Sequence, residues 1–180
     1  MSKHILADFR MRKEERGYIE SLGYEIIEVS YNPDLYDEIS AHVDISYIKI
    51  NDTIITSPDR FVDLSKITKG IVGKAELSSE YPSDIPYNVC IMGKNAIHNF
   101  KYTDEIVKYK LKQEGFNFID VKQGYTKCSV AVIDENSCIT TDMDIAKKLM
   151  DNGIDVLFVY EPDIKLLKRT NKNVQAWFHA

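Results

Sequence analysis

A chain that repeats itself folds into an array of similar units, and this chain repeats in two independent ways. HVDISYIKINDTIITS, residues 42–57, and TKCSVAVIDENSCITT, residues 126–141, align when one slides by 84 positions. Asn51-Asp52 then meets Glu135-Asn136, Thr53-Ile54-Ile55-Thr56 meets Ser137-Cys138-Ile139-Thr140, and Asp44 meets Cys128. Each copy reads as an apolar strand, a polar turn and a second strand. The turns are KINDT (49–53), DENSC (134–138) and, between them, MGKNA (92–96), all rich in turn formers.

The second repeat is a glycine followed by a strand. LGYEIIEV (22–29), EGFNFIDV (114–121) and NGIDVLFV (152–159) each place a helix-ending Gly before a short apolar run. KGIVGKA around Gly70 fills the gap between the first two copies. Helices are expected ahead of these glycines. One covers residues 11–22, with Met11, Tyr18 and Leu22 on one side. A second is capped by Thr103 and reaches Gly115, with Asp104 and Glu105 in the favourable first turn. A third lies between Thr141 and Gly153, where Ile145, Ala146, Leu149 and Met150 form one apolar stripe. DRFVDLSKITKG (59–70) is poorly periodic and is expected to have lost its helix. The unit is therefore strand, strand, helix, strand. The chain holds a partial unit at its start, three full or eroded units, and a tail. No Pro/Gly/Ser linker divides them, so residues 1–180 are read as one α/β domain with an atypical segment at 161–180.

Composition closes several alternatives. A net charge of −5 argues against non-specific binding to nucleic acid or anionic lipid. No apolar run approaches the roughly 20 residues that span a bilayer, and MSKHILADFRMRKEERG carries charges where a signal peptide needs an apolar stretch. A cytoplasmic protein is expected. Cys90, Cys128 and Cys138 lack CxxC spacing, which speaks against a disulfide framework and a zinc site.

HVDISYIKINDTIIT resembles the His-x-Asp strand of the penteins, whose strand-strand-helix-strand units surround a pseudo-fivefold axis. These are the guanidino-modifying enzymes: arginine and agmatine deiminases, dimethylarginine hydrolases and amidinotransferases. YPSDIPYNVCIMGKNAIHN, KYTD and QGYTKCSVAVID resemble more narrowly an uncharacterised bacterial branch of clostridial type, over roughly residues 1–160. The resemblance implies an α/β propeller of pentein-like repeats, with an incomplete closing repeat. It also implies a shared pocket, because His42 with Asp44, Tyr87 with Asn88, and Lys127 with Cys128 stand at matching hairpin starts.

The activity implied is hydrolysis of, or amidino transfer from, a small guanidino compound, without metal or organic cofactor. Cys128 would attack the guanidinium carbon, and His42 would act as acid and base. Asp44 would hold the planar cation by paired charge-assisted hydrogen bonds, with Asn88 and Gln123 as further substrate contacts. Two departures stand against this. The active families carry their nucleophile near the C-terminus, whereas no Cys follows Cys138 here. EPDIKLLKRTNKNVQAWFHA (161–180) does not read as a full fifth unit.

Each residue also has a structural reading. Cys128 opens a strand and can be an inert buried thiol. His42 can be a packed or capping residue, and Asp44 a strand-end carboxylate. Cys90 and Cys138 are expected in the core, and His98 is expected to hydrogen-bond a helix start. The second function class is accordingly a non-catalytic binding protein, as in the ribosome anti-association initiation factor that shares the pentein fold. No nucleic-acid or membrane partner is expected. Unpaired sheet edges favour a homodimer.

Overall fold

A computed structural model describes residues 3–60 and 69–160. The elements run β1 (Lys3–Asp8), α1 (Lys13–Ser21), β2 (Tyr24–Val29), α2 (Val43–Ser46), β3 (Tyr47–Ile50) and β4 (Thr53–Thr56). A 3-10 turn at Pro58–Arg60 and β5 (Lys69–Val72) follow. Then come β6 (Cys90–Met92), β7 (Asn95–His98), α3 (Glu105–Gln113) and β8 (Asn117–Asp120). The last group is α4 (Thr126–Ser129), β9 (Val130–Val132), β10 (Ser137–Thr140), α5 (Met143–Asp151) and β11 (Asp155–Phe158).

Three sheets share one wiring. In β3-β4-β5, β6-β7-β8 and β9-β10-β11 the first two strands are antiparallel and the third runs parallel to the second. The same hydrogen bond closes each. Gly73 N–H donates to Thr56 O at 2.8 Å, Val121 to His98 O at 3.1 Å and Val159 to Thr140 O at 3.0 Å. The fourth sheet pairs β1 with β2 in parallel, with α1 between them in sequence. It thus holds the second strand, helix and third strand of the repeat. The connection of the β3-β5 unit at 61–68, where a lost helix was expected, lies outside the described residues, as does the tail at 161–180.

Gly23, Gly115 and Gly153 end their helices with φ of +83°, +73° and +76°, where an L side chain is strained. Their amides bond back to Glu20 O, Lys112 O and Met150 O. Gly70 differs from expectation: it lies inside β5, paired with Ile54, and ends no described helix.

The chain divides into two compact units, Met1–Tyr87 with Tyr102–Lys110, and Asn88–Lys101 with Leu111–Ala180. The first buries Val29, Ile45, Ile50 and Ile55. The second packs Cys90, Met92, Ile97, Cys138, Ile145 and Leu149 into one cluster, so Cys90 and Cys138 are core residues as expected. Burial pushes the Cys90 thiol up to about 12 and raises that of Cys138.

Three helix expectations need correction. α1 buries none of its residues, and Tyr18 and Leu22 are 67% and 54% exposed, so the supposed apolar side meets solvent. The cap of α3 is Asp104 rather than Thr103, its Oδ1 accepting the amides of Ile106 at 2.8 Å and Val107 at 3.0 Å. The choice is tertiary: Asp104 Oδ2 also takes the amides of Lys74 and Ala75 at 2.7 and 2.8 Å, a demand one hydroxyl cannot meet. The stripe of α5 is Ile145, Ala146 and Leu149, with Met150 half in solvent. Among the described residues, no helix is long and apolar enough to cross a membrane.

Candidate functional site

Each of two hairpins opens on one helical turn. His42 precedes α2, which leads into β3, and Tyr125 precedes α4, which leads into β9. Cys128 therefore belongs to α4 rather than to the strand it was expected to open.

Strand pairing decides which residues correspond. Tyr47 pairs with Thr56, and Val130 with Thr140. Thr140 follows Thr56 by 84 positions, but Val130 follows Tyr47 by only 83, because the second hairpin carries one extra residue in its turn. An ungapped slide misses this. In the fold, His42 matches Tyr125, Asp44 matches Lys127, and Cys128 matches Ile45 rather than Asp44. Ile45 is wholly buried and Cys128 is 8% exposed. Position 128 is thus a core position by register. His42, Asp44 and Tyr125 are half-buried, and Lys127 is exposed.

The second unit joins two of the expected site residues. Asn88, fully buried, donates from Nδ2 to Cys128 Sγ at 3.2 Å. Its Oδ1 accepts the amides of Lys127 at 2.9 Å and Cys128 at 3.4 Å. Since an acceptor must face those two N–H groups, the amide has one orientation, and the sulfur receives a hydrogen. Thr126 Oγ1 ties the same turn to Asn88 O at 2.8 Å and Ile97 O at 2.7 Å.

Gln123 sits in the loop before α4 and is held at both ends. Its Oε1 accepts Tyr125 N–H at 3.1 Å and its Nε2 donates to Asp142 Oδ2 at 3.2 Å. Asp142 also caps α5 through Ile145 N–H at 2.9 Å. His98, wholly buried, places Nε2 2.7 Å from Gly124 O, so that nitrogen carries the proton. It thereby meets the loop before α4.

His42 and Asp44 lie in the first unit, beside the end of β1. Asp8 closes β1 and is clasped by Arg10, Oδ1 to Nε at 3.0 Å and Oδ2 to Nη2 at 2.6 Å. Arg10 Nη1 continues to Asp37 O at 2.6 Å, pinning the connector ahead of α2. Burial acts to raise the Asp8 pKa. The Arg10 hydrogen bonds and charge, with a contribution from His42, outweigh it and hold the carboxyl below its usual range. Sequence reasoning missed Asp8. It is the last paired residue of β1, opposite Val29 of β2. The signal present in the sequence was the Asp8-x-Arg10 spacing, which lets the two side chains meet.

A protein-family model described as a family of unknown function (DUF6873) matches residues 6–171. Among curated proteins, no sequence matches the chain. Solved structures do. DDAH from Pseudomonas aeruginosa complexed with citrulline is 13% identical, with a TM-score of 0.57 over 88% of this chain and 76% of that one. A dimethylarginine dimethylaminohydrolase adduct with S-methyl-L-thiocitrulline gives 13% and 0.57 over 88% and 77%. The N-terminal domain of ArgZ, an arginine dihydrolase from the ornithine-ammonia cycle in cyanobacteria, gives 14% and 0.54 over 86% and 63%. At such identity the likeness is one of fold alone: an α/β fold built from several small sheets.

Proposed function

The chain belongs to the family of unknown function DUF6873, and from that premise we propose that it binds a small guanidino compound without thiol catalysis. The ligand class is suggested by the solved structures of like fold, which carry citrulline and S-methyl-L-thiocitrulline or are arginine dihydrolases. The observation that carries the reading is the strand register. It sets Cys128 on the position held by Ile45, a core residue, and leaves His42 and Asp44 half-buried at the opening of their hairpin. A carboxylate there matches a planar guanidinium by two parallel hydrogen bonds. Asp8, clasped by Arg10, lies within the electrostatic reach of His42.

The test is calorimetric titration of the whole chain with arginine and with its decarboxylated amine, combined with an assay for ammonia, amine and ureido product. Binding without product is expected. Asp44→Asn should weaken it about tenfold or more, since one charge-assisted pair is worth roughly 1.5–3 kcal/mol. Turnover of either compound would overturn the reading, as would affinity that Asp44→Asn leaves unchanged.

One observation favours the second class, a Cys-dependent hydrolase or amidinotransferase. The Asn88 hydrogen bond to Cys128 Sγ stabilises a thiolate over a thiol. In that reading Cys128 attacks the guanidinium carbon.

A further inference from the structure

The single turn α2 carries a titratable cation and a carboxylate within three positions: His42 at its N-cap and Asp44 in its first turn. His42 makes no side-chain bond to the turn it caps, so α2 does not depend on its imidazole for a cap. Ile45 N–H closes on His42 O at 3.2 Å, which fixes the backbone between the two side chains. Both residues are half-buried, where charges act on each other more strongly than in water.

The elements around this turn set its charge. α2 packs against β1 and β3. β1 ends on Asp8, while its other titratable groups, Lys3 and His4, lie toward the opposite end. β3 carries Lys49, which is exposed. The connector ahead of α2 carries Asp37 and Glu38, whose backbone oxygens hold Arg10 at 2.6 and 3.3 Å. The same connector receives His42 N–H on Ile39 O at 3.0 Å, so the Asp8–Arg10 clasp and the His42 turn are tied together. With Arg10 in place, the Asp8 carboxyl still feels the charge of His42. Such coupling is reciprocal, and Asp8 favours the imidazolium.

We propose that His42 is a proton gate for the guanidino ligand class inferred above: its neutral imidazole admits the guanidinium to Asp44, and its imidazolium excludes it. A guanidinium keeps its charge at any ordinary pH. An imidazolium two residues from Asp44 repels that cation and offers the carboxylate a competing partner. Acidification through the imidazole range, ordinarily near 6.5, therefore releases the ligand.

The test is calorimetric titration of the full chain with arginine and with methylguanidinium at pH 5.5, 6.5 and 8, in the parent, His42→Gln and Asp44→Asn. The parent should bind about tenfold more weakly at pH 5.5 than at pH 8, the factor set by protonating one group of ordinary imidazole pKa. His42→Gln should show a flat profile. The imidazole of His42 is followed in parallel by NMR, assigned from its loss in His42→Gln. Asp8→Asn should lower its titration midpoint, because it removes a carboxylate and leaves Arg10 uncompensated. Binding that Asp44→Asn weakens but that is level across the pH range overturns the gate and leaves the ligand class standing. A pH dependence that survives in His42→Gln overturns the gate as well, as does a midpoint that Asp8→Asn leaves in place. Absence of binding at every pH overturns both the gate and the ligand class.

Discussion

Asn88 donates to Cys128 Sγ across 3.2 Å while its own oxygen receives the backbone amides of Lys127 and Cys128. One buried side chain thereby fixes the whole turn that carries the thiol. Asn88→Ala strands the buried Cys128 N–H, while Lys127 N–H keeps the backbone oxygen of residue 88 at 3.2 Å, and the expected loss is about 1–3 kcal/mol in urea unfolding. The same variant separates the two functional classes. If Asn88 is architectural, loosening α4 speeds alkylation of Cys128. If Asn88 activates the thiolate, its removal slows alkylation.

The first unit has its own close approach, between Gly73 and Tyr87. A Cβ on Gly73 would lie 2.4 Å from Tyr87 Oη and 2.6 Å from Cε1. Tyr87 cannot swing aside freely, since its hydroxyl donates to Ala75 O at 2.7 Å and the residue is 1% exposed. Gly73→Ala should cost about 1–3 kcal/mol. Tyr87→Phe should not relieve it, because the ring carbon remains. In a Tyr87→Ala background the added methyl should cost much less, a non-additivity read from a double-mutant cycle.

The Asp8–Arg10 clasp predicts a pH dependence. Asp8 has a lowered pKa in the folded protein, so its contribution is present above the unfolded carboxylate value of about 3.9 and is lost as pH falls through the folded value. Arg10→Met should therefore unfold at lower urea than the parent at pH 6, with the gap closing toward pH 2. A gap independent of pH would mean that Arg10 acts through its bonds to Asp37 O and Glu38 O alone.

The repeat was legible because it is written in residues with local consequences. Gly23, Gly115 and Gly153 each occupy a left-handed position that favours glycine, so helix ends appear in the sequence itself. The apolar alternation around KINDT, MGKNA and DENSC gave the hairpins for the same reason. What was hidden depends on spatial neighbours. One extra turn residue between Val130 and Thr140 displaces the match of Cys128 from Asp44 to Ile45, and only strand pairing reveals it. Thr103 and Asp104 are both good caps by type, and the amides of Lys74 and Ala75 select the carboxylate. Asp8 reads as an ordinary strand-end carboxylate, and only the folded chain shows Arg10 clasping it and reaching on to Asp37 O.

Iodoacetamide labelling of the native protein, quantified at each cysteine by peptide mass mapping from pH 5 to 9, tests the central claim most directly. Cys90, its thiol pushed up to about 12, and Cys138 serve as internal references. The account predicts that Cys128 labels slowly at neutral pH, keeps pace with the two core thiols, and is indifferent to arginine-like compounds. Rapid labelling of Cys128 alone below pH 7, suppressed by those compounds, would contradict it and establish the thiol as the reactive centre.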